Sequence, residues 1–378
     1  MEDFNNIKIR ALTYHLPLPS KETQLNNYLE SALPFNFEKL RNIFRTKSKL
    51  DILTRRIVFP YFEEIEALFD IRIEKFIEYV YEKYGERKDI DYIGIPLSEF
   101  KKEYMDKIPE MFLTYPKLFI SIKYDPNNIP INIELLRNIS SKSGWINATH
   151  FAFSFGNQLV TPYFPASISK GKGITISLLY PNYILKELEK DNNIIDPLVK
   201  AARFILNISS STLNEFSIAG KFLGIDYSLS PWKDESIAKL LEKINNKLTF
   251  SLPGTLSSIF QTNLALLKVA TNYKGIGYNE IMLPLAEDNY LKELVRNNEI
   301  TFSDFVSLIS VCVAGLDMIP IPSWTDSRIL EGIFKDIHSL SLHKGKTLGL
   351  RLILADAEPE EEIDLGMFGY TPVLDPLS

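Results

Sequence analysis

Strand-length apolar runs alternate with amphipathic helical stretches almost from one end of the chain to the other. The runs predict about ten strands, over residues 8–16, 53–59, 92–97, 117–124, 149–155, 173–180, 222–230, 280–285, 315–321 and 348–354. Helical periodicity fills most of the intervals, over 23–45 (interrupted at Pro34), 61–84, 131–140, 185–206, 234–247, 256–271, 289–297 and 326–343. Helix-end chemistry supports two of these boundaries. Ser230 can cap a helix that has Pro231 at its first position and Asp234 and Glu235 near its positive end. Gly345 can close the last helix, leaving His338, His343 and Lys344 in or just beyond its final turns. No linker, composition shift or fixed-period repeat divides the chain. The expectation is one α/β domain over residues 1–378, its strands closing into a barrel or forming an open wound sheet.

Composition narrows the class. With 378 residues, 45% of them hydrophobic, and a formal charge of only −6, the chain can bury a large core and is not a self-repelling disordered polymer. Lys and Arg are interleaved with Glu and Asp, so no basic stripe offers itself to phosphodiesters, and nucleic acid is excluded as a partner. The longest apolar stretch, near 305–316, falls short of the ~20 residues a membrane span needs, so no membrane partner is expected. The single cysteine, Cys312, permits neither an internal disulfide nor a cysteine-based metal cluster, and the start of the chain is acidic and polar; both fit a cytoplasmic location.

Familiar catalytic signatures fail on inspection. Gly275-Ile276-Gly277 follows a predicted helix and precedes a predicted strand, the reverse of a dinucleotide loop. Gly345-Lys346-Thr347 ends like a phosphate loop but has Leu340 in place of the first glycine, and a strand follows it. The histidines at 15, 150, 338 and 343 include no pair with the i, i+4 spacing of a helical zinc site.

Polar chemistry instead clusters where predicted strands end, and ligand sites in β/α proteins form beyond the carboxyl ends of strands. Four segments qualify: 161–166 (TPYFPA), 224–231 (GIDYSLSP), 282–288 (MLPLAED) and 314–322 (AGLDMIPIP), with Asp326 shortly after the last. An acid in an apolar strand needs a partner, because burying a lone carboxylate costs several kcal/mol. Asp226 and Asp317 are therefore either structural, satisfied by backbone N–H groups or by Arg55, Arg56 or Arg351, or part of an oxygen-rich site able to hold Mg²⁺ or Ca²⁺ or to act as acid and base. Glu287 and Asp288 are candidate metal ligands, with the N-terminal turn of the next helix as the competing role. Cys312, between Val311 and Val313, reads as a small buried apolar residue or as a nucleophile.

These segments, together with Ile9-Arg10-Ala11-Leu12-Thr13, Leu53-Thr54-Arg55-Arg56-Ile57 and Ser310-Val311-Cys312, resemble, in order, domain-of-unknown-function family 711, also called uncharacterised protein family 0210. The resemblance implies a fold similar to pyruvate formate-lyase and other glycyl radical enzymes, a ten-stranded α/β barrel enclosing a loop. It does not extend to radical chemistry, because Leu365-Gly366-Met367-Phe368-Gly369-Tyr370 lacks the Arg-Val-x-Gly pattern of a glycyl radical segment. The chain departs from the family where Cys312-Val313-Ala314-Gly315 replaces Cys-Gly-x-Gly. The family-like segments supply the candidate site: Asp226, Asp317, Asp326 and Cys312 for catalysis, Arg56, Asn157, Tyr163 and Ser228 for ligand binding, and Glu287 and Asp288 for a metal.

Two functions remain open on sequence. One is a non-catalytic metabolite-binding or assembly subunit, a homo-oligomer with a small-molecule ligand. The alternative is a metal-assisted acid–base enzyme, a hydrolase or lyase, acting on a small polar substrate at an acidic barrel mouth.

Overall fold

The strands assemble into one large mixed sheet whose antiparallel seams reverse its direction twice. The structure is a computed structural model and describes residues 4–191, 193–215 and 221–378. Nine strands form the sheet: β1 (Lys8–His15), β2 (Ile52–Val58), β3 (Tyr92–Leu97), β4 (Leu118–Lys123), β5 (Phe151–Phe155), β6 (Gly173–Leu179), β7 (Lys221–Asp226), β8 (Leu316–Pro322) and β9 (Leu348–Ala355), in the order β7-β6-β1-β2-β3-β4-β5-β9-β8. Strands β1 to β5 run parallel, while the β1–β6 and β5–β9 pairs are antiparallel. A short hairpin, β10 (Glu362–Asp364) and β11 (Tyr370–Pro372), follows.

The crossovers carry helices: α1 (Leu25–Ala32) and α2 (Phe37–Ser48), α3 (Phe62–Phe69) and α4 (Ile73–Tyr84), α5 (Tyr104–Thr114), then α6 (Ile129–Ser143) and α7 (Trp145–Ala148). In the second half come α8 (Pro181–Leu188), α9 (Ile195–Glu215), α10 (Ile237–Ile244), α11 (Thr255–Asn272), α12 (Asn289–Arg296), α13 (Phe302–Leu308) and α14 (Ser327–Lys344). Three predicted helices are split: 23–45, near the expected interruption at Pro34, 61–84, and 185–206, which falls on α8 and α9. Asn36 caps α2 by accepting from the Glu38 and Lys39 N–H groups, and Asp70 ends α3 in the left-handed conformation.

Alternate residues of each strand join the main hydrophobic core with the helices, for example Ile93, Ile95 and Leu97 on β3 and Ile174, Ile176 and Leu178 on β6. The intervening residues form the opposite face, on which the 159–169 segment lies. There Phe164 packs with Val58, Phe119 and Tyr92 in a second small core.

Two corrections to the sequence reading concern the second half. Residues 280–285 make isolated bridges, not a strand: Leu229 pairs with Ile281 and Met282 with Val313, before a 3-10 turn at Leu285–Glu287. Pro284 has no N–H to extend a ladder. A further bridge links Ile225 to Gly275, so the 275–282 segment touches both β7 and the approach to β8, the two edges of the sheet. Ser230 does not cap a helix. The cap of α10 is Ser236, whose hydroxyl accepts from Lys239 N–H, and the Ser230 hydroxyl is hydrogen-bonded to Tyr163. The Gly345 cap forms as expected, with φ 62°.

Candidate functional site

Two β-bulges aim charged side chains off the helix-covered face. Arg10 is the extra residue where β1 slips against β6, which lets Ile9 and Leu12 both reach the main core while Arg10 does not join it. Asp317 precedes a second bulge, at Met318, which has φ 58°. Both side chains line a cavity of about 620 Å³ on the face of the sheet opposite the main core. It lies at the amino ends of β2, β3, β4 and β5 and beyond the carboxyl end of β7. The cavity thus meets carboxyl ends for only part of the sheet, because the antiparallel seams reverse it.

The cavity contains a chain of buried ion pairs. Arg10 donates to Glu287 Oε2 and to the Pro231 carbonyl. Glu287 Oε1 lies 3.4 Å from Arg351, and Arg351 also grips Asp317 with Nε at 2.6 Å and Nη2 at 3.0 Å. Burial would lower the pKa of Arg351, but Asp317 and then Glu287 carry it above the ordinary guanidinium value.

Arg56 makes no hydrogen bond to this chain, although Arg10 and Glu287 act on its charge through space. It is only 8% exposed. Its Nε donates to Thr54 at 3.0 Å and its Nη1 to the Pro162 carbonyl at 3.1 Å. Among the described residues no carboxylate lies within ion-pairing distance of it, and Nη2 has no hydrogen-bond partner. The rings of Tyr92 and Phe164 lie 5.4 and 5.3 Å from the guanidinium carbon. Burial lowers its pKa to about 10, so Arg56 remains a cation at neutral pH.

The rest of the wall is largely apolar or neutral. His150 stacks on Phe119 with centroids 4.2 Å apart, and its Nδ1 has no hydrogen-bond partner among the described residues. Burial, then Arg351, pulls its pKa down to about 4, which makes it a neutral imidazole at pH 7. The Tyr163 and Tyr278 hydroxyls are held neutral by burial and by nearby Asp226. Met367 and Phe368, from the β10–β11 connection, complete the rim.

The ten candidate residues divide between this cavity and its surroundings. Arg56, Tyr163, Asp317 and Glu287 line it. Asp226 and Ser228 lie behind it. Asp226 Oδ1 accepts from Ser228 N–H, the Ser228 hydroxyl and Asn279 N–H, and Oδ2 from the Thr161 hydroxyl and Tyr278 N–H. Gly277 permits this arrangement, since with φ +83° a Cβ there would collide with the carboxylate. Asp288 ties two helix starts together, accepting from Ile237 and Ala238 N–H at α10 and from Tyr290 and Leu291 N–H at α12. Asp326 caps α14 and pairs with Arg328 outside the cavity. Asn157 is exposed, and its carbonyl accepts from Thr347. Cys312 is buried away from the cavity wall.

This donor set does not fit Mg²⁺ or Ca²⁺. Glu287 and Asp317 are engaged by guanidinium groups, Asp288 by backbone N–H groups, and no cluster of three or more His, Cys, Asp or Glu suited to a metal occurs among the described residues. Arg10, His150, Tyr92 and Trp232 were not singled out from sequence as site residues. A lone cation in an apolar strand carries the same desolvation cost as a lone acid, so that rule applied to arginines would have marked Arg10.

The chain is 28% identical over 185 residues to a "UPF0210 protein" of Lactobacillus helveticus, covering 47% of this chain and 40% of that one. It is 30% identical over 162 residues to a "UPF0210 protein" of Methanopyrus kandleri, covering 41% and 35%. A "UPF0210 protein" of Lactococcus lactis is 24% identical over 322 residues, covering 75% and 70%. The match therefore spans less than half the length of the first two relatives. The family described as "Uncharacterised ACR (DUF711)" matches residues 1–362, and the chain belongs to that family.

Proposed function

We propose that this protein is a non-catalytic metabolite-binding protein that holds a small anionic ligand in the cavity on the face of its sheet opposite the main core. The observation that carries this reading is Arg56, a buried guanidinium facing the cavity without a carboxylate partner among the described residues. An uncompensated buried cation is costly, and a bound anion removes that cost. The cavity volume lies in the range of small-molecule sites. The bridges made by residues 275–282 to both sheet edges support closure of the sheet into a ten-position barrel of the pyruvate formate-lyase type, with the 159–169 segment as its enclosed loop. Acid–base catalysis by Glu287 and Asp317 has less support, because both carboxylates are already bound by arginines.

Thermal stabilisation by a panel of anionic and neutral metabolites tests the reading. A ligand at a hundred times its Kd stabilises by about 2.7 kcal/mol. Losing one charge-assisted pair costs roughly 1.5–3 kcal/mol, so Arg56→Met should weaken anion binding roughly tenfold or more. Stabilisation by neutral compounds alone, or by anions equally in Arg56→Met, contradicts it.

A second reading, homo-oligomeric assembly, has its own support. Leu256, Phe260, Leu264 and Leu267 project from α11 at helical spacing, each 47–54% exposed, and such a stripe suits a helix of a second copy. Light scattering decides it: a multiple of the monomer mass that Phe260→Glu reduces supports assembly, and a strict monomer refutes it.

A further inference from the structure

We infer that the ligand of this cavity is a monoanionic carboxylate carrying an aromatic or branched aliphatic body, a step that rests on the anion-binding reading above. The first argument is charge. Three guanidinium groups line the cavity, those of Arg10, Arg56 and Arg351, against two carboxylates, Glu287 and Asp317. Arg10, Glu287, Arg351 and Asp317 satisfy one another in a single chain. His150 is neutral, and Asp226 sits behind Tyr163 and Tyr278 with its oxygens taken by five donors. One positive charge is left over, on Arg56. A carboxylate balances it. A phosphate monoester carries about −1.5 to −2 at neutral pH, so its excess charge would lie unpaired near Glu287 and Asp317.

The second argument is geometry. Arg56 is held at Nε and Nη1 by Thr54 and Pro162, with Nη2 left over. The planar fork is thereby fixed before a ligand arrives, and it keeps the N–H groups of Nη2 to donate to an anion such as a carboxylate. The third argument is the wall. Beside Arg56 the lining includes Tyr92, Phe119, Phe164, Ile146, Met367 and Phe368, apolar surface that suits rings or branched chains.

Calorimetric titration of the full chain with phenylacetate, its neutral amide and phenyl phosphate tests the inference. Phenylacetate should bind at least tenfold more tightly than either of the others. Arg56→Met, with its fold checked by circular dichroism, should abolish that preference over the amide, and Arg56→Lys, which keeps the charge but not the fork, should retain part of it. Phenyl phosphate binding tenfold more tightly than phenylacetate overturns the carboxylate assignment and leaves the anion reading standing. Equal binding of acid and amide, or a preference untouched in a folded Arg56→Met protein, overturns both. No binding of phenylacetate, benzoate or 4-methylpentanoate at millimolar concentration also overturns the inference.

Discussion

Replacing Asp226 by Asn separates a structural carboxylate from a chemical one. The side chain is fully buried and its two oxygens accept five hydrogen bonds, three of them from backbone N–H groups. An Asn side chain has the same shape but can place an oxygen at only one of the two positions. With the amide nitrogen at the Oδ2 position, Tyr278 N–H is stranded against another donor, a loss of about 2 kcal/mol. The three bonds left at Oδ1 fall from charge-assisted to neutral, about 1 kcal/mol each. Relief from burying a charge offsets part of this, leaving a net destabilisation of roughly 3 kcal/mol. In urea unfolding, with a slope of about 3 kcal/mol/M, the midpoint should fall by about 1 M. Ligand affinity, measured well below the new midpoint, should change less than threefold, because Asp226 does not line the cavity. Unchanged stability together with lost ligand binding would refute the reasoning and return Asp226 to the site.

Three further outcomes follow from the same geometry. His15, bonded to Thr175 and the Ile168 carbonyl, has its pKa pulled from 6.5 to about 4 by burial, partly countered by that carbonyl. The unfolded chain therefore binds a proton that the folded chain refuses between those values. The contribution is complete above pH 6.5 and is lost as pH falls toward 4, on the order of 3 kcal/mol; His150 titrates in the same window, so urea midpoints across it should fall less steeply in His15→Asn without becoming flat, and an unchanged slope refutes the assignment. Cys312, whose thiol is pushed up to about 11 by burial, should resist aromatic disulfide reagents at pH 8 in native protein and react after unfolding; fast native labelling contradicts its burial. Glu287→Gln leaves Arg10 and Arg351 partly unpaired, so it should destabilise by roughly 3–5 kcal/mol while raising affinity for phenyl phosphate relative to phenylacetate; an unchanged ratio argues against charge matching.

Nine of the predicted strands were legible in the apolar runs, because a strand buried on both faces leaves a continuous signal. The failure at 280–285 is instructive. Its residues are as apolar as those of a strand, but Pro284 and the turn at Leu285–Glu287 confine pairing to isolated bridges. The acids of the site region were legible for the same reason as the strands, since Asp226 and Asp317 interrupt apolar runs. What periodicity does not encode is which acid meets an arginine across the sheet and which meets a loop's backbone. Asp317 found Arg351 on the neighbouring strand, whereas Asp226 found the 277–279 turn and Thr161. Arg10 was legible as a lone cation in an apolar run, but its exact direction depends on a bulge, a one-residue slip that no pattern of apolar positions announces.

The most direct test of Arg56 as the anion anchor is a crystal soaked with 4-bromobenzoate, read by the anomalous signal of bromine. The account predicts bromine in the cavity on the face of the sheet opposite the main core and carboxylate oxygens at about 2.7–3.2 Å from the Arg56 guanidinium. A carboxylate bound outside the cavity, or bound within it but away from Arg56, would contradict the account.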